Sequence, residues 1–150
     1  FNWCQDKNKK VALIGGEASE ITVAVHNIKK LYPALNIAYS HDGYVKDKKI
    51  CKEVKNNVIN SGAEVLICGM GTPLQEDFLL SLKNCQSSLK LGFTCGGFLT
   101  QTSIKPDYYH PLVKKTGLRW LQRMIMHTHV RNRVLKEYPK FLLLYLKKHL

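Results

Sequence analysis

Apolar residues along the chain fall into four short runs, separated by stretches whose apolar positions recur at helical spacing. The runs lie in Lys9-Lys-Val-Ala-Leu-Ile-Gly-Gly16, Leu35-Asn-Ile-Ala-Tyr39, Val65-Leu-Ile-Cys68 and Leu89-Lys-Leu-Gly-Phe-Thr-Cys95. Four consecutive apolar residues at 65–68 are the pattern of a strand covered on both faces, as in a parallel sheet. Between the runs, Ile21, Val25, Ile28 and Tyr32 form one helical stripe. Ile50, Cys51, Val54 and Val58 form a second within Lys48–Asn60, and Phe78, Leu79 and Leu82 a third in the stretch ending at Lys83. Pro33 and Ser61-Gly62 are stop signals for the first two helices. Strands separated by helices at intervals of about 25 to 28 residues predict right-handed βαβ units. The expected fold is α/β, a parallel sheet of about four strands with helices on both faces.

Each run ends in glycine or in turn residues: Gly15-Gly16, Ser40-His-Asp42-Gly43-Tyr44, Gly69-Met-Gly71-Thr72, and Gly96-Gly97. In an open parallel sheet these loops share the rim at the C-terminal ends of the strands, where such folds bind ligands. The third loop is the most informative. Gly69 and Gly71 let the backbone turn tightly and approach a ligand. Thr72 suits an N-cap, Pro73 the first helical position, and Gln75 the partner of a capping box. The same grammar serves a plain helix start. Read functionally, free helix N–H groups would face an anion such as a diphosphate.

Beyond residue 104 the character changes, so the chain reads as an α/β region over 1–104 and a helical appendage over 105–150. Residues 105–111 are loop-like, Leu112–Lys115 a short turn, and helices are expected from Gly117, over Val130–Tyr138 and over Pro139–Leu150. Arg119 and Arg123, four apart, share a face opposite Leu118, Leu121 and Ile125. From Lys105 onward eleven lysines and arginines stand against Asp107 and Glu137, which places +9 of the formal +12 charge there. Basic, partly apolar helices suit an anionic membrane surface or an anionic substrate; a solvated basic face is the plain alternative. Nucleic acid is the weaker partner, because Trp120 and the tyrosines lie among helical apolar positions and form no stacking platform.

At 150 residues the chain has room for one domain with a core. No stretch is long and apolar enough to span a bilayer; Phe141–Leu146 is far too short. The first six residues lack the pattern of a signal peptide. Five cysteines, an odd number without metal-site spacing, read as reduced thiols of a cytosolic protein. There is no G-x-G-x-x-G, no Walker lysine loop, no G-x-S-x-G elbow, no H-E-x-x-H and no Asp-x-Asp pair, so neither a metal nor a cofactor is expected. The six histidines are scattered.

Taken together, several motifs carry a resemblance. Gly15-Gly16, Asp42-Gly43-Tyr44, Gly69-x-Gly71-x-Pro73-x-Gln75-Glu76, Gly96-Gly97-Phe98 and Gly117-Leu118-x-Trp120-Leu121-x-Arg123 occur in the order and spacing of the WecG/TagA/CpsF glycosyltransferases. The chain resembles this family over nearly its whole length. The resemblance implies a bacterial enzyme peripheral to the inner face of the cell membrane. Such an enzyme moves N-acetylmannosamine, its uronic acid or glucose from UDP to a polyprenyl-diphosphate-linked acceptor, with inversion. The products are teichoic acid linkage units, enterobacterial common antigen, capsule or exopolysaccharide.

Carried over, Gln75 resembles the family's active-site glutamine, with Glu76 beside it. Gly15, Gly16, Asp42, Gly43, Tyr44, Gly69, Gly71 and Thr72 fall on its donor loops. Arg123 and Arg133 resemble basic positions facing the lipid diphosphate, and Arg119 and Arg131 group with them. Two departures stand out. The segment Gly97-Phe98-Leu99-Thr100-Gln101 lacks the aspartate that the family places before phenylalanine. The chain also corresponds to the later part of the family pattern, whose earlier part carries the aspartate proposed as general base. This stretch alone is therefore expected to be weak or inactive, with a non-catalytic UDP-binding module as the alternative. A sheet truncated in this way exposes an edge that invites self-association.

Overall fold

The computed structural model describes residues 1–83, 85 and 87–149, with the side chain of His129 outside the description. The chain divides into two compact units, Phe1–Tyr108 and Tyr109–Leu150. In the first, β1 (Val11–Gly15), β2 (Ile37–His41), β3 (Val65–Gly69) and β4 (Leu91–Thr94) form an all-parallel sheet in the order β2-β1-β3-β4. Every residue of the central strand β1 is buried. Strand alternation sends Ala12, Ile14, Leu66 and Cys68 to one face and Val11, Leu13 and Val65 to the other. The first face is covered by α3 (Lys48–Asn60) and α4 (Leu74–Leu82) through Val54, Val58, Phe78 and Leu82. The second is covered by α1 (Asn2–Asp6), α2 (Ala18–Leu31) and α5 (Phe98–Ile104) through Cys4, Ile21, Ile28 and Leu99. Burying each large side chain contributes roughly 1.5–3 kcal/mol. The structure is therefore the expected parallel α/β sandwich with helices on both faces.

Several boundaries differ from the sequence pattern. β2 runs on through Ser40 and His41, whose composition suggests a turn, because both pair with β1 at Leu13 and Ile14. α5 is a helix where the pattern gives none. Its threonines and serine are modest helix formers, and tertiary bonds compensate: Asn27 Nδ2 donates to the Thr102 carbonyl at 2.8 Å inside the core. α4 begins at Leu74, with Pro73 at the capping position and no side-chain cap, so Thr72 is not the N-cap. The Thr72–Pro73 peptide is cis.

In the second unit α6 (Pro111–Thr116) forms where a short turn is expected. Pro111 opens it, His110 Nδ1 accepts from Leu112 N, and Gly117 closes it in the left-handed region at φ 74°. α7 (Arg119–Met126) is followed by α8 (Thr128–Asn132), a π-helical turn over Arg133–Glu137 and α9 (Tyr138–His149). Pro139 does not break this run. It sits in the first turn of α9, and the widened turn before it absorbs the amide hydrogen bond that proline cannot make. Leu150, the last residue of the expected helix, lies outside the described residues. No described helix is long and apolar enough to cross a membrane.

Candidate active site

The strand order creates the site. From β1 the chain crosses to β2 on one side, and β3 lies on the other side of β1, so the loops leaving β1 and β3 diverge and open a crevice at their C-terminal ends. A cavity of about 420 Å³ occupies it, lined by Gly16, Gly43, Tyr44 and Gly69 among others. A second cavity of about 370 Å³, between Leu79, Leu82 and Leu91 at the β4 edge, is remote from these loops and lined largely by leucines and lysines.

The glycines do more than admit a ligand; they let the loops touch one another. Gly15 holds φ +148°, and a Cβ there would strike the Gly69 carbonyl. A Cβ on Gly43 would lie 3.1 Å from both Gly15 Cα and Met70 Cγ, and Gly43 N donates to the Gly16 carbonyl at 2.8 Å. A Cβ on Gly69 would come within 2.7 Å of the Gly96 carbonyl. Gly71 is different: it is open around its Cβ position, and its need for glycine rests on φ +80° alone.

Around this backbone cluster the polar side chains are tightly committed. Gln75 is buried. Its Oε1 accepts from Gly96 N at 3.1 Å, while Nε2 donates to Glu76 Oε1 at 2.8 Å and reaches Thr72 Oγ1 at 3.4 Å. The Thr72 hydroxyl donates to the same Glu76 oxygen at 3.2 Å. Both ends of the Gln75 amide are thus engaged by protein. The other Glu76 oxygen, Oε2, is covered and has no hydrogen-bond partner among the described residues. The hydrogen bond from Gln75 holds the Glu76 carboxyl below the ordinary glutamate range, so it is ionised at neutral pH.

On the β1 side, Asp42 Oδ1 accepts from Tyr44 N at 2.8 Å and shapes the turn. The Tyr44 hydroxyl donates to Glu17 Oε1 at 3.4 Å, and the Glu17 charge raises the phenol's pKa. Beneath the rim, burial pushes Cys68 up to about 12 and Cys95 up to about 11, so both stay protonated thiols. All five cysteines are free.

The expectation of free helix N–H groups facing an anion meets two different helix starts. At α2 a capping box closes on itself: Glu17 accepts from the Glu20 backbone, and Glu20 Oε2 accepts from Glu17 N at 2.8 Å. At α4 the first turn carries Glu76 and Asp77. The α2 start is thus closed by its own carboxylates, whereas α4 has no side-chain cap and carries two carboxylates in its first turn. The sequence pattern also misses Glu17, Glu20, Lys46 and Thr100, which line the cavity. Glu17 and Lys46 adjoin the glycine loops and could have been found from that alone. Thr100 rides on α5, for which the sequence gives no signal.

Gly71, Thr72, Gln75 and Glu76 stand in the α4 entry outside the residues that line the cavity, and Gln75 bridges that entry to the β4 loop at Gly96. The candidate arginines belong to the second unit. Arg119 lies over the Tyr109 ring at 5.7 Å, and Arg131 donates to Thr128 Oγ1 at 3.4 Å. Arg133 pairs with Glu137 at 3.7 Å, and Arg123 Nε is covered without a hydrogen-bond partner among the described residues. No three His, Cys, Asp or Glu side chains gather as a metal cage among the described residues.

The doubly wound parallel sheet thus places a polar crevice at its switch point, the position where such folds bind ligands. The chain belongs to the glycosyl transferase WecG/TagA/CpsF family, whose model matches residues 1–150. It is 41% identical over 150 residues to a Shigella boydii UDP-Gal:alpha-D-GlcNAc-diphosphoundecaprenol beta-1,4-galactosyltransferase, covering all of this chain and 62% of that protein. It is 26% identical over 145 residues to a Bacillus subtilis (strain 168) N-acetylglucosaminyldiphosphoundecaprenol N-acetyl-beta-D-mannosaminyltransferase, covering 95% of this chain and 54% of the relative. The chain thus spans between half and two thirds of the length of these curated relatives.

Proposed function

We propose that this chain is the donor-binding portion of a glycosyltransferase that moves a hexosyl group from UDP to a sugar carried on a polyprenyl diphosphate. The observation that carries the reading is the 41% identity to a UDP-Gal-dependent relative, sustained over all 150 residues. The motif resemblance names N-acetylmannosamine, its uronic acid or glucose; this relative adds galactose and makes it the first donor to test. In the transfer the acceptor hydroxyl attacks the anomeric carbon while that carbon's bond to the UDP oxygen breaks. The electron pair leaves with UDP, and the hydroxyl proton passes to a base. Gln75 and Glu76 brace the loops that border the donor cavity. Arg119, Arg123, Arg131 and Arg133 supply paired donors suited to the acceptor's diphosphate at an anionic membrane surface.

A UDP titration followed by amide NMR tests the donor site, and a galactosyl-transfer assay with a lipid-diphosphate acceptor tests the reaction. Shifts clustered at Gly15, Asp42 and Gly69–Glu76 are expected. A folded protein without such shifts has no donor site of this kind. Binding without transfer would instead support the non-catalytic module.

A further inference from the structure

A nucleoside diphosphate needs positive charge where it lies, and the crevice offers very little of it. Glu17 and Glu20 close the start of α2, and the first turn of α4 carries Glu76 and Asp77. Among the described residues lining the cavity, Lys46 is the one cation. Its neighbours fix the backbone on either side: the Val45 side chain is buried, and Asp47 caps α3 by accepting from Lys49 N at 2.8 Å and Ile50 N at 3.0 Å. One Asp47 oxygen, Oδ1, takes both bonds, and Lys46 has no ion pair among the described residues. Other residues of the lining have the reverse chemistry. Glu17 and Glu20 present carboxylates, with Glu20 Oε2 already accepting from the Thr100 hydroxyl at 2.9 Å, a surface that accepts hydrogen bonds from hydroxyl groups and repels phosphate.

We infer that Lys46 is the diphosphate-contacting side chain of the crevice. The inference rests on the donor-site reading above. In the transfer itself Lys46 offsets the charge that the departing diphosphate gains, while the acidic part of the lining accepts from hydroxyls.

Calorimetric titration of UDP and of uridine into the wild-type chain, Lys46→Met and Lys46→Arg separates the two readings. Lys46 is exposed, so both variants are expected to fold, which the amide spectrum checks. Wild type is expected to bind UDP more tightly than uridine. Lys46→Met is expected to lose about 10-fold or more in UDP affinity, with uridine unchanged, and Lys46→Arg to keep most of it. Equal losses for both ligands, or no loss for either, would overturn the role of Lys46 while leaving the donor site standing. Binding of neither ligand by the wild type would remove the donor site and the inference with it.

Discussion

Gln75 shows how much a single residue's meaning depends on what surrounds it. Its type and position mark it as the residue to act, yet its amide is spent on Gly96, Glu76 and Thr72. It acts as a clamp between the loops after β3 and β4. Gln75→Ala leaves the part-buried Gly96 amide without its acceptor and removes the stronger donor to Glu76, which should cost about 1 kcal/mol in urea denaturation. The pH dependence follows from the sign of the shift. Because the folded Glu76 value is lowered, its contribution is present above the unfolded value and lost as pH falls through the folded one. The gap in stability between wild type and Gln75→Ala should therefore narrow in acid. In a carboxyl-carbon NMR titration Glu76 should titrate higher in the variant; an unchanged midpoint would refute the clamp.

At the scale of elements, the pairing of α2 with α5 decides one side of the rim. α5 follows an exposed edge strand and has weak intrinsic helicity, so its place depends on Leu99 in the core and on two side chains of α2. Asn27 satisfies the Thr102 carbonyl at the end of α5, and Glu20 receives the Thr100 hydroxyl. Asn27→Ala leaves that buried carbonyl without its donor and should cost about 1–3 kcal/mol. Hydrogen exchange should quicken in α5 before it does in β1; uniform protection across both would show that α5 stands without Asn27. The β4 edge is the other feature at this scale, with Leu91 and Phe93 exposed. Such an edge favours association.

For the whole molecule, charge is the dominant fact. The formal charge is +12, and exposed apolar residues such as Phe141, Leu143 and Leu144 lie on the same helix as Lys147 and Lys148. In flotation the chain should rise with vesicles containing anionic lipid and stay behind with neutral ones. Raising salt from about 0.1 M to 0.5 M should release it as screening lengths shorten. Each of Lys147→Gln and Lys148→Gln should weaken binding about 5-fold, since a basic residue near such a surface contributes about 1 kcal/mol. Equal flotation with neutral vesicles would remove the electrostatic part of the membrane proposal.

The sequence by itself determined the strands, three of the helices flanking them and the family. These follow from local periodicity and from glycine, proline and glutamine at fixed spacing, all of which are near-neighbour properties. Gly15, Gly43 and Gly69 were legible as a rim for the same reason. Only the tertiary structure decided what those glycines contact, because the approach of Gly15 to Gly69 joins segments far apart in the chain. It also decided that α5 is a helix, held by Asn27 from another element. The same holds for the acidic part of the lining and Lys46, since a side chain's charge environment depends on which loops the sheet order brings together. For Gln75, the residue type marked the position, and only its three partners showed that it holds another group in place.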